Sequence, residues 1–285
     1  MNPALRDSYA ACRRVHRRHD PTYYYATRRL PAEVRPAVHA LYAFVREADE
    51  LVDGPARAGD PADRRAALDR LEAELIEGLA NGGPPRPAVA ALADAGARHD
   101  LPLDELGTYM NSMRVDCGPV RIATWEELAD YMNGSAAAVG RIMAPLLGAD
   151  GARESFARLG LAFQLTNFIR DVREDFDLDR IYLPLEERAH FGVAEEEIAQ
   201  RRATPGFREL LALQVDRARN LFLEAAPAMA AVEPRVRPGM RMARGVYVRV
   251  LDRVESLGYD VLGRRAGLPP WQLGAAALRA LLEPS

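Results

Sequence analysis

Lysine is missing from the 285-residue sequence, because all 38 of its Lys and Arg positions are arginine. Without an ammonium group the chain can form no Schiff-base lysine, no pyridoxal-phosphate anchor and no Walker-type phosphate loop. Any fixed positive charge must be a guanidinium, which is planar, permanently protonated and able to hold a phosphate or carboxylate through two hydrogen bonds. The bias itself is typical of codon usage in a GC-rich genome.

Cysteine, long apolar runs and a basic excess are also lacking. Cys12 and Cys117 cannot make a disulfide framework, which favours a reducing cytosol. The formal net charge of −3 argues against a nucleic-acid binder held by phosphate contacts. No stretch approaches the ~20 apolar residues of a membrane span, and the charged start of the chain does not resemble a secretory signal. We therefore expect a soluble, cytoplasmic globular protein.

Apolar residues recur at helical spacing over most of the chain. The strongest patterns cover residues 33–52, 62–80, 152–176, 206–229 and 240–258. No sustained period-two alternation and no Asn-Gly hairpin indicates a strand. Breaks rich in glycine and proline, such as residues 81–85, are too short for interdomain linkers. The sequence predicts a single all-α domain over residues 1–285, with sites built in its core from side chains on facing helices.

Two pairs of aspartates stand out within these predicted helices. Asp49 and Asp53 lie four residues apart in the first, and Asp171 and Asp175 have the same spacing in the third. Like charges at this spacing share one helical face and destabilise a helix by about 0.2–0.5 kcal/mol. Hard divalent cations such as Mg²⁺ offset that repulsion, because they take oxygen ligands from one or two carboxylates and from substrate phosphates.

The spacing alone does not identify a metal site, since a solvated acidic face would show it too. Asp100 and Asp104 repeat it across a loop start, and Asp179 repeats it after Asp175 at a helix end. What distinguishes the two chosen pairs is their apolar surroundings and the nearby arginines Arg46 and Arg170. Unpaired buried carboxylates are costly in a purely structural bundle, so these pairs favour a metal-bridged diphosphate.

Five segments of the chain match, in order, the motifs of one known family. They are residues 22–31 (TYYYATRRLP), 42–53 (YAFVR followed by two aspartates), 131–140 (YMNGSAAAVG), 159–184 (LGLAFQLTNFIRDVRED, then RIYLP) and 245–255 (GVY, then DRVE). Together they resemble the squalene/phytoene synthase family over a core of about residues 10–265. Departures from the usual motifs include Glu50 in place of a second aspartate, and Ser135 and Ala137 in the small-residue segment.

The resemblance implies an isoprenoid-synthase helical bundle whose central cavity holds two prenyl diphosphates. Asp49, Asp53, Asp171 and Asp175 would bind Mg²⁺, with Mn²⁺ as an alternative. The other residues that the resemblance places at the substrates are Tyr42, Tyr182 and Tyr247 in catalysis, and Arg46, Gln164, Asn167, Arg180, Thr22, Tyr23, Ser135 and Val139 in binding.

The chemistry of prenyl diphosphates agrees with such a site. Ionising an allylic diphosphate requires charge neutralisation on the leaving group, which metal ions and guanidinium groups supply. The resulting cation requires a dry cavity lined by apolar or aromatic groups. Residues 136–138 and Gly140 are expected to leave room for the prenyl tails, with close helix packing as the alternative.

Two further clusters lie near the start of the chain. Cys12, His16 and His19 share a helical face, but no fourth metal ligand is evident, so we expect a solvated or capping role for them; His39 is isolated in the sequence. The arginine-rich residues 13–18 could contact anionic lipid headgroups, although a solvated face is the simpler interpretation.

The sequence therefore predicts head-to-head condensation of two prenyl diphosphates, through a cyclopropyl intermediate, to a phytoene- or squalene-type product. Prenyl transfer to an aromatic small molecule on the same fold is one alternative. A catalytically silent scaffold is another, and it would be marked by eroded aspartates. Chain length, oligomeric state and a reductive step with NADPH are not fixed by the sequence, and no nucleotide-binding fingerprint is visible.

Overall fold

Helices form most of the part of the chain described by the computed structural model, which covers residues 2–55, 57, 59–81 and 86–268, with the backbone alone for Thr22. They are α1 (Pro3–His19), α2 (Pro21–Thr27), α3 (Arg35–Asp53), α4 (Pro61–Asn81), α5 (Pro87–His99), α6 (Glu105–Val115), α7 (Trp125–Met132), α8 (Ala138–Leu146), α9 (Arg153–Asp177), α10 (Leu185–His190), α11 (Glu195–Ala199), α12 (Pro205–Glu224), α13 (Ala226–Ala231) and α14 (Arg237–Ser256). The all-α class is confirmed. The predicted break at residues 82–85 lies outside the described residues.

Side-chain caps and prolines set where several helices begin. Asn2 Oδ1 accepts the amide N–H of Leu5 at 2.8 Å, and Pro3 is the first residue of α1. Thr204 caps α12 by accepting the N–H of Phe207 at 3.3 Å, directly before the proline that opens the helix. These caps satisfy amides that have no partner within the helix, and proline has no amide to satisfy.

The prediction without strands is wrong at one place. Val120–Arg121 forms strand β1 and Arg180–Ile181 forms strand β2, paired in parallel with Val120 opposite Arg180. A two-residue strand is shorter than the run of four or more residues from which an alternating pattern can be read. The pairing places the segment after α9 beside the segment after α6. The predicted helix over residues 206–229 is likewise interrupted at Ala225, between α12 and α13.

Helix α9 lies at the centre of the bundle and packs against α8, α12 and α14. Glycines allow the closest contacts on one side. A methyl group on Gly140 would lie 2.4 Å from the carbonyl oxygen of Phe156, and one on Gly160 would lie 2.6 Å from that of Ala136. Ala137 and Ala138 are fully buried. The expected role of Gly140, Ala137 and Ala138 in making room for prenyl tails is therefore replaced by close helix packing.

The segment between α7 and α8 departs from α-helical geometry. Asn133–Ala137 is a π-helix, and Asp150–Ala152 forms a short 3₁₀-helix before α9. Single-turn π segments inside helices occur often at functional sites, and this one contains the predicted substrate residue Ser135. Among the described helices none is long and apolar enough to cross a bilayer.

Replacing Gly140 by alanine tests the packing role of the small residues. We expect Gly140→Ala to lower the free energy of unfolding by about 1–3 kcal/mol, because the added methyl group meets backbone that must move. Gly245→Ala in α14, where nothing lies within 4 Å of the new methyl group, should instead raise stability by about 0.5–1 kcal/mol. Urea denaturation measures both. Equal stability changes in the two variants would contradict the packing role.

Candidate active site

The two aspartate pairs lie on the last turns of α3 and α9. Asp49 and Asp53 close α3, and Asp171 and Asp175 stand on the final turns of α9. Asp49 Oδ1 accepts a hydrogen bond from the Tyr109 hydroxyl on α6 at 3.1 Å. Helix α6 thus holds the first pair in place from a third element, which the sequence did not indicate.

Arg180 connects the ends of these two helices. It is buried, and its guanidinium donates to both carboxylate oxygens of Asp53, at 2.9 and 2.5 Å. The same group donates to the backbone carbonyl oxygen of Asp116 at 2.7 Å. The β1–β2 pairing brings Arg180 to this position, because Val120, opposite it, lies only four residues after Asp116. A pocket opens at this end of the site, and Asp53, Asp116 and Arg180 are among its lining residues.

Asp116 is a site residue that sequence reasoning missed. Its carboxylate accepts hydrogen bonds from the hydroxyls of Tyr131, at 2.6 Å, and Tyr182, at 2.7 Å. Burial raises the pKa of Asp116, and the attraction of Arg180 only partly offsets that shift. No other aspartate stands four residues away in the sequence, so the i, i+4 signal that revealed the two pairs could not reveal this residue.

Burial and mutual repulsion disfavour the ionised form of two carboxylates of the site. Burial raises the pKa of Asp49 to about 6, against the opposing effects of Tyr109 and Arg46. Burial and the neighbouring Asp171 raise the pKa of Asp175 to about 8. Both shifts reflect the cost of placing negative charges close together at half-buried positions. A divalent cation would relieve that cost.

The donor set fits Mg²⁺, because every candidate ligand is a hard carboxylate oxygen. Within the described residues no three His, Cys, Asp or Glu side chains already surround one point. Mg²⁺ is usually held by one or two protein carboxylates together with water and substrate phosphate.

Two arginines near the pairs already have carboxylate partners. Arg46 forms an ion pair with Glu50 one turn later on α3, and its Nε is buried without a hydrogen-bond partner. Arg170 donates from Nε to Asp171 at 2.7 Å. The departure from the family motif at Glu50 therefore has a visible consequence, since Glu50 is the partner of Arg46.

The predicted tyrosines belong to aromatic stacks on several elements. Tyr182 stacks on Phe168 with ring centroids 4.0 Å apart. Tyr247 stacks on Phe163 at 4.1 Å and lies beside Asn167, so that these contacts join α14 to α9. Both tyrosines thus contact α9 on the side that carries the aspartate pair.

Tyr23 and Tyr42 form a second aromatic group with a residue that the sequence did not assign to the site. Their ring centroids lie 6.3 Å apart, and the ring of His16 stacks on Tyr42 at 4.0 Å with an angle of 11° between the planes. His16 is fully buried, so the expected solvated or capping role for it is wrong. The structure also contradicts the isolation of His39, because His39 Nδ1 lies 2.8 Å from His16 Nδ1.

The structure describes the side chains of three of the four remaining predicted binding residues. Gln164 and Val139 are half-buried, and Val139 packs against the core. Ser135 Oγ is buried without a hydrogen-bond partner in the described residues. The side chain of Thr22 lies outside the described residues.

Removing the Asp116 carboxylate tests how much its hydrogen bonds to the two tyrosines stabilise the protein. Asp116→Ala leaves two buried tyrosine hydroxyls without their acceptor, at about 1–3 kcal/mol for each. We expect the free energy of unfolding to fall by about 2–5 kcal/mol, measured by urea denaturation without metal. Asp216→Ala, at an exposed position of α12, should change it by less than about 0.5 kcal/mol. A stability loss for Asp116→Ala no larger than that of this control would contradict the assignment.

Comparison with known proteins places this geometry in context. The family model described as squalene/phytoene synthase matches residues 16–272. The chain is 37% identical to a phytoene synthase of Thermus thermophilus over 287 residues, covering 100% of this chain and 94% of that protein. It is 33% identical to a phytoene synthase of Arthrospira platensis, covering 98% of this chain and 95% of that protein.

Solved structures of similar proteins also match this chain. The crystal structure of a squalene synthase from Alicyclobacillus acidocaldarius matches with a TM-score of 0.83 at 33% identity, covering 91% of this chain and 97% of that one. A dehydrosqualene synthase in complex with a ligand matches with a TM-score of 0.87 at 24% identity over 98% of this chain and 96% of that one, and supports the fold alone.

Proposed function

Because the chain belongs to the squalene/phytoene synthase family, we propose that its paired aspartates on α3 and α9 hold two prenyl diphosphates for condensation. The family and its relatives identify the protein as a prenyltransferase that joins two prenyl diphosphates head to head. The observation that carries the residue assignment is the convergence of Asp49, Asp53, Asp171 and Asp175 on the ends of two helices joined through Arg180.

The aspartates act as ligands for Mg²⁺, or alternatively Mn²⁺, that binds with the diphosphates. When bound, the metal supplies positive charge that stabilises the departing diphosphate. The protein contributes the carboxylates, and it also contributes Arg46, whose buried Nε has no partner and is available to a diphosphate oxygen. Arg180 keeps Asp53 oriented through two hydrogen bonds and adds a second fixed positive charge beside the diphosphates.

The tyrosines act on the allylic cation that forms when the diphosphate leaves. Burial raises the pKa of Tyr42 to about 12 and also raises the pKa of Tyr247. Both hydroxyls therefore keep their protons at neutral pH and can donate hydrogen bonds without placing a phenolate beside the reacting carbons. Their ring faces, with those of Tyr23 and Tyr182, stabilise the allylic cation and exclude water from it. Asn167 lies beside Tyr247, and Gln164, Ser135 and Val139 are assigned to the substrate space, as the family resemblance also implies for Thr22.

The overall reaction balances without further groups from the protein, because the two diphosphates that are released can take up the two protons that leave. One prenyl diphosphate loses its diphosphate, its first carbon forms a bond to the double bond of the second, and one proton leaves to give the cyclopropyl diphosphate. Loss of the second diphosphate and rearrangement then give a cation. Loss of a second proton from this cation gives a phytoene-type hydrocarbon, whereas hydride from NADPH gives a squalene-type one.

We favour the phytoene-type product. The two curated relatives described above, at 37% and 33% identity over nearly the whole chain, are both phytoene synthases. The squalene synthase structure at 33% identity makes the reduced product the alternative. Family membership and four intact aspartates disfavour the scaffold hypothesis, and transfer to an aromatic acceptor has no specific support among the described residues.

Product analysis tests this proposal directly. The enzyme should convert C10, C15 or C20 diphosphates with Mg²⁺ into a dimeric hydrocarbon without NADPH, as identified by mass spectrometry. Asp49→Asn and Asp171→Asn should each lower kcat by about a hundredfold or more, because the leaving group loses its charge stabilisation. Asp216→Asn, at an exposed position of α12, serves as the control. Full activity in either active-site variant would refute the metal assignment, and a product formed only with NADPH would favour the squalene-type reaction.

A peripheral membrane contact belongs to the same proposal. Arg14, Arg17 and Arg18 are exposed on α1, at spacings that place them on one side of the helix. Each arginine near an anionic bilayer contributes about 1 kcal/mol, and a membrane would receive an apolar product.

Vesicle binding tests this contact. Replacing Arg14, Arg17 and Arg18 by Gln should weaken binding to phosphatidylserine-containing vesicles by about two orders of magnitude in a sedimentation assay. The same change at Arg158, Arg201 and Arg202, which pair with carboxylates elsewhere, should have a smaller effect. Equal losses in the two triple variants, or no binding by the wild type, would overturn the proposal.

A further inference from the structure

One face of α3 continues beyond the aspartates to a buried histidine. His39, Tyr42, Arg46, Asp49 and Asp53 follow one another at intervals of three or four residues, so they share one face of the helix. The aspartates occupy its C-terminal end and His39 lies one turn before Tyr42. The face that holds the proposed metal ligands thus ends in an aromatic and imidazole segment.

His16 reaches this segment from α1. Its ring lies parallel to Tyr42, with centroids 4.0 Å apart and an interplanar angle of 11°, and the side chain is fully buried. Its Nδ1 is 2.8 Å from His39 Nδ1. His39 in turn stacks on Tyr24 at 5.4 Å, and Tyr24 accepts a hydrogen bond from Arg13 Nε at 3.0 Å. Contacts from two helices therefore fix the ring plane of His16.

The short contact between the two imidazoles requires that one Nδ1 carries a proton and the other does not. Burial, followed by the effect of His39, lowers the pKa of His16 to about 3. Burial, with Arg13 and Arg35 nearby, lowers the pKa of His39 to about 4. Both rings are therefore neutral at physiological pH, so the ring that stacks on Tyr42 carries no charge of its own.

A packing role alone does not account for the pair. His16 Nε2 is buried without a hydrogen-bond partner, and such a group costs about 1–3 kcal/mol. A leucine at this position would fill the space without that cost. The imidazole offers instead a flat ring whose rotation is fixed by a hydrogen bond, and this is the geometry required to hold another ring at a set angle.

Building on the proposed function, we propose that His16 and His39 are positioning residues that hold the Tyr42 ring at the angle required to face the allylic cation. His16 acts by stacking on Tyr42, and His39 acts by preventing rotation of His16. Neither histidine touches substrate. A misoriented Tyr42 would leave the cation less protected, so that water captures it and a prenyl alcohol is released instead of the coupled hydrocarbon.

The test compares three variants with the wild-type enzyme under saturating Mg²⁺. His16→Leu removes the ring, His16→Phe keeps a ring over Tyr42, and His39→Leu frees the ring of His16. Three readouts are measured: kcat, KM for the prenyl diphosphate, and the ratio of hydrocarbon to prenyl alcohol. Loss of folded enzyme scales every product equally, so the product ratio separates positioning from stability. Leu68→Ala, at a buried position of α4, is the matched destabilised control with an unchanged ratio.

We expect His16→Leu to lower kcat about tenfold and to shift the ratio towards the alcohol, since small misplacements in an active site carry large kinetic costs. KM should stay within about twofold, because the diphosphate ligands are untouched. His39→Leu should shift the ratio in the same direction by a smaller factor, and His16→Phe should recover most of the wild-type ratio.

The outcomes separate this proposal from the proposed function. If the wild-type enzyme makes no hydrocarbon, the proposed function fails. If the wild type makes hydrocarbon and folded His16→Leu or His39→Leu keeps the wild-type product ratio, the positioning role alone is overturned. If His16→Leu fails to fold, the other two variants decide the question. The positioning role then requires that His39→Leu shifts the product ratio towards the alcohol and that His16→Phe keeps a ratio close to that of the wild type.

Discussion

The contact between Arg180 and Asp53 is the interaction on which the site depends. Arg180 is buried, and it holds the end of α3 by two hydrogen bonds while donating a third to the backbone of Asp116. A guanidinium suits this position because its planar fork can bind a carboxylate with two atoms and still reach a carbonyl oxygen. One cation thus brings together three segments that are far apart in the sequence. The charge of Arg180 also acts on Asp175 of α9, where it partly offsets the raised pKa.

The surrounding fold serves to make this contact possible. The pairing of the two-residue strands β1 and β2 brings Arg180 close to Asp116. Glycines at positions 140 and 160 let the helices around α9 approach until backbone meets backbone, which fixes the position of α9 and of the aspartates at its end. Close packing leaves little freedom for relaxation, so the carboxylates stay together even though burial raises the pKa of Asp49 and Asp175.

The sequence predicted the features that depend on residues close together along the chain. The helices followed from periodicity, the two aspartate pairs followed from their spacing and their apolar surroundings, and Arg180 was implied only by the family resemblance. Asp116 and Tyr109 were missed because their partners lie 15 to 66 residues away along the chain, and only the tertiary fold brings them together. His16 and His39 were misjudged for the same reason, since each is unremarkable in its own helix and their contact spans 23 residues.

The reaction imposes opposite electrostatic demands on the two ends of one helical face. In the proposed function the diphosphates need positive charge, and at the C-terminal end of α3 the proposed metal ligands Asp49 and Asp53 lie close to the guanidinium groups of Arg46 and Arg180. The allylic cation needs the reverse, namely neutral rings with electron-rich faces and no competing cation. A chain without lysine meets the first demand with groups that are always charged. In our proposal it meets the second at Tyr42 with the imidazole of His16, which burial keeps uncharged. Tyr42 and Asp49 are separated by about two turns of α3, and the guanidinium of Arg46 lies between them on the same face, so one helix can present both kinds of group to the substrates.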